Sequence, residues 1–157
     1  DISFESGVAD LAINSSGPSF VDYDNDGDLD LAVIGQLNDS FVAGFNLYRN
    51  NPLATFEEDT RAEIAGMLAS GMDWGDYDND GDEDLYVVSG FMHFGTLLSN
   101  PQNQPNVLLR NNGDGTFSDV SVESGMDLYF SSMGLAAGDY DNNGFLDFRF
   151  FILNSSY

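Results

Sequence analysis

The chain has 157 residues, of which 42% are hydrophobic and 13% aromatic, so it can build one modest domain with a real core. Its formal net charge of −23, with only four Lys and Arg, excludes a nucleic-acid partner held through its phosphates and disfavours an anionic membrane surface. No apolar run is long enough to span a membrane, so we expect no membrane insertion.

The first predicted elements follow an acidic stretch. DYDNDGDLD at 22–30 leads into LAVIG at 31–35. The latter is β-rich and nearly continuously apolar, which predicts a strand buried on both faces. AEIAGM at 62–67 allows one helical turn at most.

The same order returns twice along the chain. DYDNDGDED at 76–84 leads into LYVVSG at 85–90, and DYDNNGFLD at 139–147 leads into FRFFIL at 148–153. Between these copies, VLLRNNGDGTFSDV at 107–120 predicts a hairpin, because Asn-Gly and Asp-Gly supply the positive φ of a tight turn. One further helical turn is allowed within SVESGM at 121–126.

The chain is therefore a set of repeats. Aligning the acidic stretches brings FNLYRNN onto NVLLRNN, with Arg49 on Arg110, and the longer second repeat carries a loop insertion near 91–105. Repeats of this size indicate a solenoid or a propeller. We predict an all-β fold of β-propeller-type blades with about four strands each. The divisions that we expect within 1–157 are a partial blade at 1–8, repeats around 14–67 and 68–126, and a partial repeat at 131–157.

Two full repeats with partial ends are too few for a closed propeller, which takes at least four blades. The sequence therefore predicts either a fragment of a larger propeller or an incomplete arc with exposed edges, and we favour the fragment.

The acidic stretches share the pattern D-x-D-x-D-G-x-x-D, which we call the acidic loops. Alternate carboxylates turn inward, the Gly permits a sharp turn that presents the position-seven carbonyl, and the ninth residue closes a site of oxygen ligands suited to Ca²⁺. There is no Cys and one His, so a soft metal or Zn²⁺ is disfavoured. The predicted ligands are Asp22, Asp24, Asp26, Asp28 and Asp30 in the first loop, Asp76, Asp78, Asp80, Asp82 and Asp84 in the second, and Asp139, Asp141, Asn143, Phe145 and Asp147 in the third, with Asp28, Asp82 and Phe145 acting through their carbonyls.

These loops are not EF-hands, although the first six positions match. An EF-hand needs a Glu at position twelve, where this chain has Val33, Val87 or Phe150. The third loop has an Asn in place of the third Asp, so it carries less charge than the other two. We therefore expect two strong calcium sites and one weaker site.

The repeats resemble the FG-GAP/VCBS repeats of integrin-α-like β-propellers, most strongly in the acidic loop followed by L-x-V-V. The segments 106–126 and 131–144 are similar, more specifically, to secreted proteins of the cartilage acidic protein type, which pair such repeats with an ASPIC/UnbV module. The chain contains no such module itself. The resemblance implies extracellular blades stabilised by Ca²⁺, with the ligands at the loop positions named above.

We therefore expect a calcium-binding scaffold for adhesion or for protein or carbohydrate interaction. Its expected location is extracellular, at the cell surface or periplasmic, although the chain shows no signal peptide. The alternative is part of a secreted or periplasmic enzyme whose catalytic residues lie outside or across these blades.

An enzyme is not expected from these residues alone. DYDND resembles a phosphatase-like Asp-x-Asp pair, but such a site normally occurs once and follows a strand, whereas here a strand follows the acids. His93 has no partner pattern around it, and we expect a loop or packing role. Trp74 is expected in the core, and Arg49 and Arg110 are expected to form repeat-stabilising salt bridges or hydrogen bonds.

Overall fold

The structure is a computed structural model that describes residues 13–14, 17–37, 43–53, 55–61, 69–89, 105–129 and 132–152. Within them the chain forms strands in three antiparallel sheets and one short helix. The elements are β1 (Ile13–Asn14), β2 (Pro18–Val21), β3 (Asp30–Leu37), β4 (Ala43–Asn50), β5 (Phe56–Glu58), β6 (Ala69–Gly75), β7 (Asp84–Ser89), β8 (Val107–Asn111), β9 (Phe117–Asp119), α1 (Ser121–Ser124), β10 (Ser132–Gly138) and β11 (Asp147–Ile152).

The second sheet has the expected four strands, in the order β6-β7-β8-β9. The first sheet has the order β1-β3-β4-β5, with β2 also paired to β3, and the third sheet pairs β10 with β11. β1 and β2 pair with successive parts of β3, and the later strands of each sheet pair in chain order, which is the meander of a propeller-type blade. The all-β fold and its blade form are therefore as the sequence predicts.

The hairpin and one of the two helical turns are also as predicted. Strands β8 and β9 are joined by a turn in which Gly113 and Gly115 have φ of 73° and 82°. The helical turn α1 follows and ends at Gly125, in the left-handed region with φ of 72°. The other expected turn, at 62–67, and most of the insertion near 91–105 lie outside the described residues.

The core lies between the sheets. Tyr23 and Ala32 of the first sheet's repeat are completely buried, and Met72 and Trp74 of the second sheet pack against them. On the other face of the second sheet, Tyr86 is buried against the third sheet. The sheets therefore stack in chain order, as consecutive blades do, and the expectation that Trp74 is a core residue is confirmed.

The segments that follow the acidic loops differ in burial. All of β7 is buried, and so are the described side chains of β3, as the apolar runs predict. The same prediction is wrong for β11, where Phe148 and Phe150 pack against the second sheet while Phe151 is 61% exposed. The physical reason is that, among the described residues, a sheet covers only one face of β11. No helix in the described part of the chain is long and apolar enough to cross a membrane.

Candidate metal centres

Each acidic loop joins two antiparallel strands. The strand before the loop ends where the strand after it begins, with Val21 opposite Asp30, Gly75 opposite Asp84 and Gly138 opposite Asp147. This register brings the first and the ninth loop positions together. A strand therefore precedes each acidic stretch as well as following it. From the sequence alone, the order of strand and acids argued against a phosphatase-like site, and the structure removes that argument.

Two backbone positions give all three loops the same turn. The glycines at position six, Gly27, Gly81 and Gly144, have φ of 94°, 98° and 87°. The asparagines at position four, Asn25, Asn79 and Asn142, have φ of 58°, 62° and 58°. Asn is among the few side chains that tolerate the left-handed region, so both positions are set by the turn itself.

In each loop the turn gathers three carboxylates. Their positions are one, three and nine, and in each set one oxygen from each residue lies within 4.8 Å of the others. Such a group has the size and the hard oxygen chemistry of a Ca²⁺ or Mg²⁺ site. The three sets are Asp22, Asp24 and Asp30; Asp76, Asp78 and Asp84; and Asp139, Asp141 and Asp147.

Backbone N–H groups hold the first carboxylate of each loop. Asp22 accepts the N–H of Gly27 at 3.1 Å, and the equivalent bonds from Gly81 to Asp76 and from Gly144 to Asp139 measure 3.0 and 2.9 Å. These bonds orient one oxygen of the first acid toward the turn.

The fifth position has a local role in all three loops. Asp26 accepts the N–H of Asp28 at 2.9 Å, and Asp80 accepts that of Asp82 at 3.0 Å. In the third loop the side-chain oxygen of Asn143 accepts a bond of 2.8 Å from the position-seven N–H in the same way. Asn is therefore a competent substitute for the turn. Asp26, Asp28, Asp80 and Asp82 lie outside the sets of three carboxylates.

The ninth acid closes the loop and is also tied to the sheet. Asp30 is completely buried and accepts the backbone N–H of Tyr23 at 3.3 Å and that of Asn50 at 2.8 Å. Burial raises its pKa to about 6, with nearby Asp24 adding to the rise and the two N–H groups opposing it. A buried carboxylate with raised pKa carries a cost that a bound cation would offset.

The second loop repeats this arrangement. Asp84 is 1% exposed and accepts the N–H of Tyr77 at 2.9 Å and that of Asn111 at 2.8 Å. Its pKa is likewise raised to about 6, chiefly by burial. In the third loop Asp147 is only half-buried and accepts the N–H of Tyr140 at 3.2 Å. The described residues provide no counterpart of Asn50 or Asn111 there.

The first loop has the oxygen atoms that most clearly fit a bound cation. Oδ1 of Asp22 and Oδ1 of Asp24 are both buried and accept no hydrogen bond. Burial, followed by the charge of Asp26, raises the pKa of Asp24. Buried carboxylate oxygens without a donor are costly, and a cation between them would satisfy both. The residues present therefore fit a bound hard cation.

The remaining predictions have mixed outcomes. Among the described residues the ion pair joins Arg61 to Asp59, and neither Arg49 nor Arg110 forms one there, so their expected role in a salt bridge or hydrogen bond stays a prediction. Their charges instead partly offset the raised pKa of the position-three acids, Arg49 at Asp24 and Arg110 at Asp78. His93 lies outside the described residues.

Three groups of residues contribute to the site without having been predicted from the sequence. The position-four asparagines carried a signal, since Asn-Asp-Gly and Asn-Asn-Gly favour a left-handed turn. Asn50 and Asn111 were visible as the recurring pair after Arg, but their contacts to the acidic loops join distant parts of the chain. Tyr23 gave no signal, because its burial depends on the neighbouring sheet.

A known family of repeats matches the parts of the chain that contain these loops. The family described as the FG-GAP-like repeat matches residues 22–87 and 96–148, which together include all three acidic loops. The first matched segment begins at the first loop and runs through the second into β7. The other begins before β8 and ends just after the third loop. A search of the curated proteins finds no match to the chain.

Proposed function

Because the chain belongs to the FG-GAP-like repeat family, which matches it over most of its length, we propose that it is a calcium-binding scaffold of β-propeller-type blades. Repeats of this family are typical of extracellular proteins. The observation that carries the proposal is the pair of buried, unpartnered carboxylate oxygens on Asp22 and Asp24, within a set of three carboxylates that each loop repeats.

The loop residues would hold the ion in the same way three times. Positions one, three and nine supply carboxylates, position five supplies a side-chain oxygen, and the carbonyl at position seven completes the set. When bound, the cation neutralises the repulsion among these acids and cross-links the two strands that the loop joins. Ca²⁺ is favoured over Mg²⁺ because it accepts six to eight oxygens in flexible geometry, whereas Mg²⁺ demands a small octahedral site.

We propose that the third centre is the weakest. Asn143 gives it one charge fewer than the other loops, and Asp147 is less buried than Asp30 and Asp84. Fewer ligand charges and a less rigid site both lower calcium affinity. Calorimetry that assigned the tightest binding to the third loop would contradict this order.

The test is a calcium titration of metal-depleted protein by calorimetry, together with thermal melts in calcium and in chelator. Asp24→Asn, Asp78→Asn and Asp141→Asn each alter one centre and should each remove or weaken one binding event. The control is Asp114→Asn, which makes the same charge change at an exposed acid in the β8–β9 turn, outside the loops.

Calcium should raise the melting temperature strongly, since a ligand at about 100 times its Kd stabilises the folded chain by about 2.7 kcal/mol per site. Magnesium at the same concentration should have a smaller effect. A melt that does not change between excess calcium and excess chelator would refute the proposal.

We further propose that the blades act outside the cytosol as a scaffold for a protein or carbohydrate ligand, in adhesion or a related surface function. The similarity of 106–126 and 131–144 to the secreted type that carries an ASPIC/UnbV module supports this location. The test is the complete reading frame: a secretion signal and an ASPIC/UnbV module would support the assignment, and a cytosolic enzyme domain fused to these blades would contradict it.

A further inference from the structure

The first and second acidic loops are joined by side-chain hydrogen bonds that cross between two sheets. Asn25, at position four of the first loop, donates from Nδ2 to Oδ1 of Asp82 in the second loop at 2.6 Å. Asn111, at the end of β8, donates from Nδ2 to the carbonyl oxygen of Tyr23 at 2.7 Å. Tyr23 lies between the first two acids of the first centre, so both bonds reach into a candidate site.

Asn111 contacts both loops at once. Its side chain holds the first loop through Tyr23, while its backbone N–H donates to Oδ1 of Asp84, the ninth acid of the second loop, at 2.8 Å. The same Nδ2 also lies 3.3 Å from the carbonyl oxygen of Glu83. Because Asn111 is only 1% exposed, water does not replace these bonds easily.

The third loop has no side-chain acceptor at the position that Asp82 occupies in the second loop. The acceptor equivalent to Asp82 would be the side chain of Phe145, which has no polar atom. Among the residues that the structure describes, no hydrogen bond joins the second loop to the third. The sheets nevertheless pack together there, since Asp73 of β6 accepts the N–H of Ala137 in β10 at 2.7 Å. Among the described residues, hydrogen bonds therefore join the second loop to the first loop but not to the third.

We propose that the first and second centres bind their cations with positive cooperativity, carried by Asn25 and Asn111, and that the third centre binds independently. The inference rests on the calcium-binding function proposed above. A cation in one loop fixes residues that the shared hydrogen bonds also fix in the other loop, so the second ion meets a smaller ordering cost. Repulsion between the two ions opposes this effect, and salt screens that repulsion.

The experiment is a calcium titration followed by nuclear magnetic resonance in about 0.5 M KCl, which shortens the range of charge–charge effects below about 10 Å. The backbone amides of Gly27, Gly81 and Gly144 report the three loops separately. Asp78→Asn weakens the second centre. It should raise the calcium concentration at half-saturation of Gly27 by about twofold or more, because for two sites of equal affinity this concentration shifts by the square root of the coupling factor, and typical couplings begin at about fivefold. The half-saturation concentration of Gly144 should stay unchanged.

Reciprocity gives an independent check. Asp24→Asn, which weakens the first centre, should in turn raise the half-saturation concentration of Gly81, because a coupling free energy is shared by both sites. The two shifts are equal when the two centres have equal affinity, and otherwise the weaker centre shows the larger shift. Gly144 again serves as the internal control, since its loop adjoins the second loop without a hydrogen bond between them.

The carriers of the coupling are tested by Asn25→Gly, with Asn142→Gly as the matched control. Both positions have φ of 58°, which Gly adopts without strain, but only Asn25 donates to the neighbouring loop. In the Asn25→Gly background, Asp78→Asn should shift Gly27 by a smaller factor. In the Asn142→Gly background the full shift should remain. Asn111→Ala should act in the same direction as Asn25→Gly. If this buried variant fails to fold, the comparison of Asn25→Gly with Asn142→Gly still tests the proposal.

The outcomes separate the two proposals. If none of the three glycine amides responds to calcium, the calcium-binding function itself is wrong. If all three respond but Asp78→Asn leaves Gly27 unmoved, or moves Gly27 and Gly144 equally, the centres bind calcium and the cooperativity is wrong. A shift of Gly27 that survives Asn25→Gly undiminished would overturn the role of Asn25.

Discussion

The carboxylate of Asp84 accepts the backbone N–H of Asn111 at 2.8 Å, and the repeat before it has the same contact between Asp30 and Asn50 at the same distance. The last acid of each loop is thus a candidate cation ligand and also an anchor for the end of the third strand in its own sheet. Loop and blade are joined through one buried side chain.

Truncating this anchor should destabilise the fold even without metal. We expect Asp84→Ala to lower the free energy of unfolding of metal-depleted protein by about 2 kcal/mol or more, because two N–H donors lose their acceptor at about 1–3 kcal/mol each. The matched control is Asp147→Ala, which loses one half-buried contact and should cost less. Urea unfolding of both variants measures the difference, and equal losses would contradict the anchoring role.

The pKa of Asp30 and of Asp84, both raised to about 6 in the fold from an ordinary 3.8, predicts an unusual pH dependence. The folded chain binds protons at these groups more tightly than the unfolded chain does. These groups therefore make metal-depleted protein more stable as the pH falls from 7 toward 5. In saturating calcium the trend should reverse, since protons compete with the cation for the same oxygens.

Urea unfolding at pH 7, 6 and 5 checks this prediction in metal-depleted protein and in calcium. The two series should approach one another as the pH falls. Metal-depleted protein that loses stability steadily from pH 7 to pH 5 would show that Asp30 and Asp84 are not held at a raised pKa.

Tyr23 also links the first loop to the second sheet through a chain of polar contacts. Its hydroxyl donates to Oδ2 of Asp59 at 2.5 Å. Arg61 pairs with the same carboxylate and reaches the carbonyl oxygen of Asp114 in the second sheet at 3.1 Å. The hydrogen bonds from Arg61 and Tyr23 hold the pKa of Asp59 well below its usual range. Tyr23→Phe should cost about 1.5–3 kcal/mol, as expected for a hydrogen bond to a charged group.

Tyr140→Phe is the matched control for Tyr23→Phe, since Tyr140 occupies the same loop position but is 73% exposed. Its cost should stay within about 0.5 kcal/mol, as for most surface changes. Chemical denaturation of both variants gives the comparison. If the two substitutions cost the same, the contact between Tyr23 and Asp59 contributes nothing to stability.

Gly115 tests the same connection from the other sheet. Its φ is 82°, and a Cβ built there would overlap the guanidinium of Arg61. Gly115→Ala should therefore cost more than Gly125→Ala, because both pay about 1–2 kcal/mol for the left-handed backbone but Gly125, with φ of 72°, has open space around it. Thermal melts decide, and equal losses would show that Arg61 moves aside freely.

Local features of the sequence were enough to predict the loops and most of the strands. The acidic pattern fixed the turn and brought Asp22, Asp24 and Asp30 together, because their spacing acts within nine residues. What escaped prediction depends on contacts between sheets. Tyr23 and Tyr140 occupy the same position in nearly the same nonapeptide, yet one is completely buried and the other is 73% exposed. Only the sheet packed beyond each loop decides which occurs.

That packing has a consequence for how the chain is made. The first loop meets its partner Asn111 88 residues further along, and Tyr23 stacks at a ring distance of 6.2 Å on Phe117, which comes later still. During synthesis, at about 5–20 residues per second, the first loop and its aromatic side chain stay uncovered until β8 and β9 emerge. The first blade is therefore covered only when the second blade has been synthesised, and the nascent chain exposes apolar surface for several seconds.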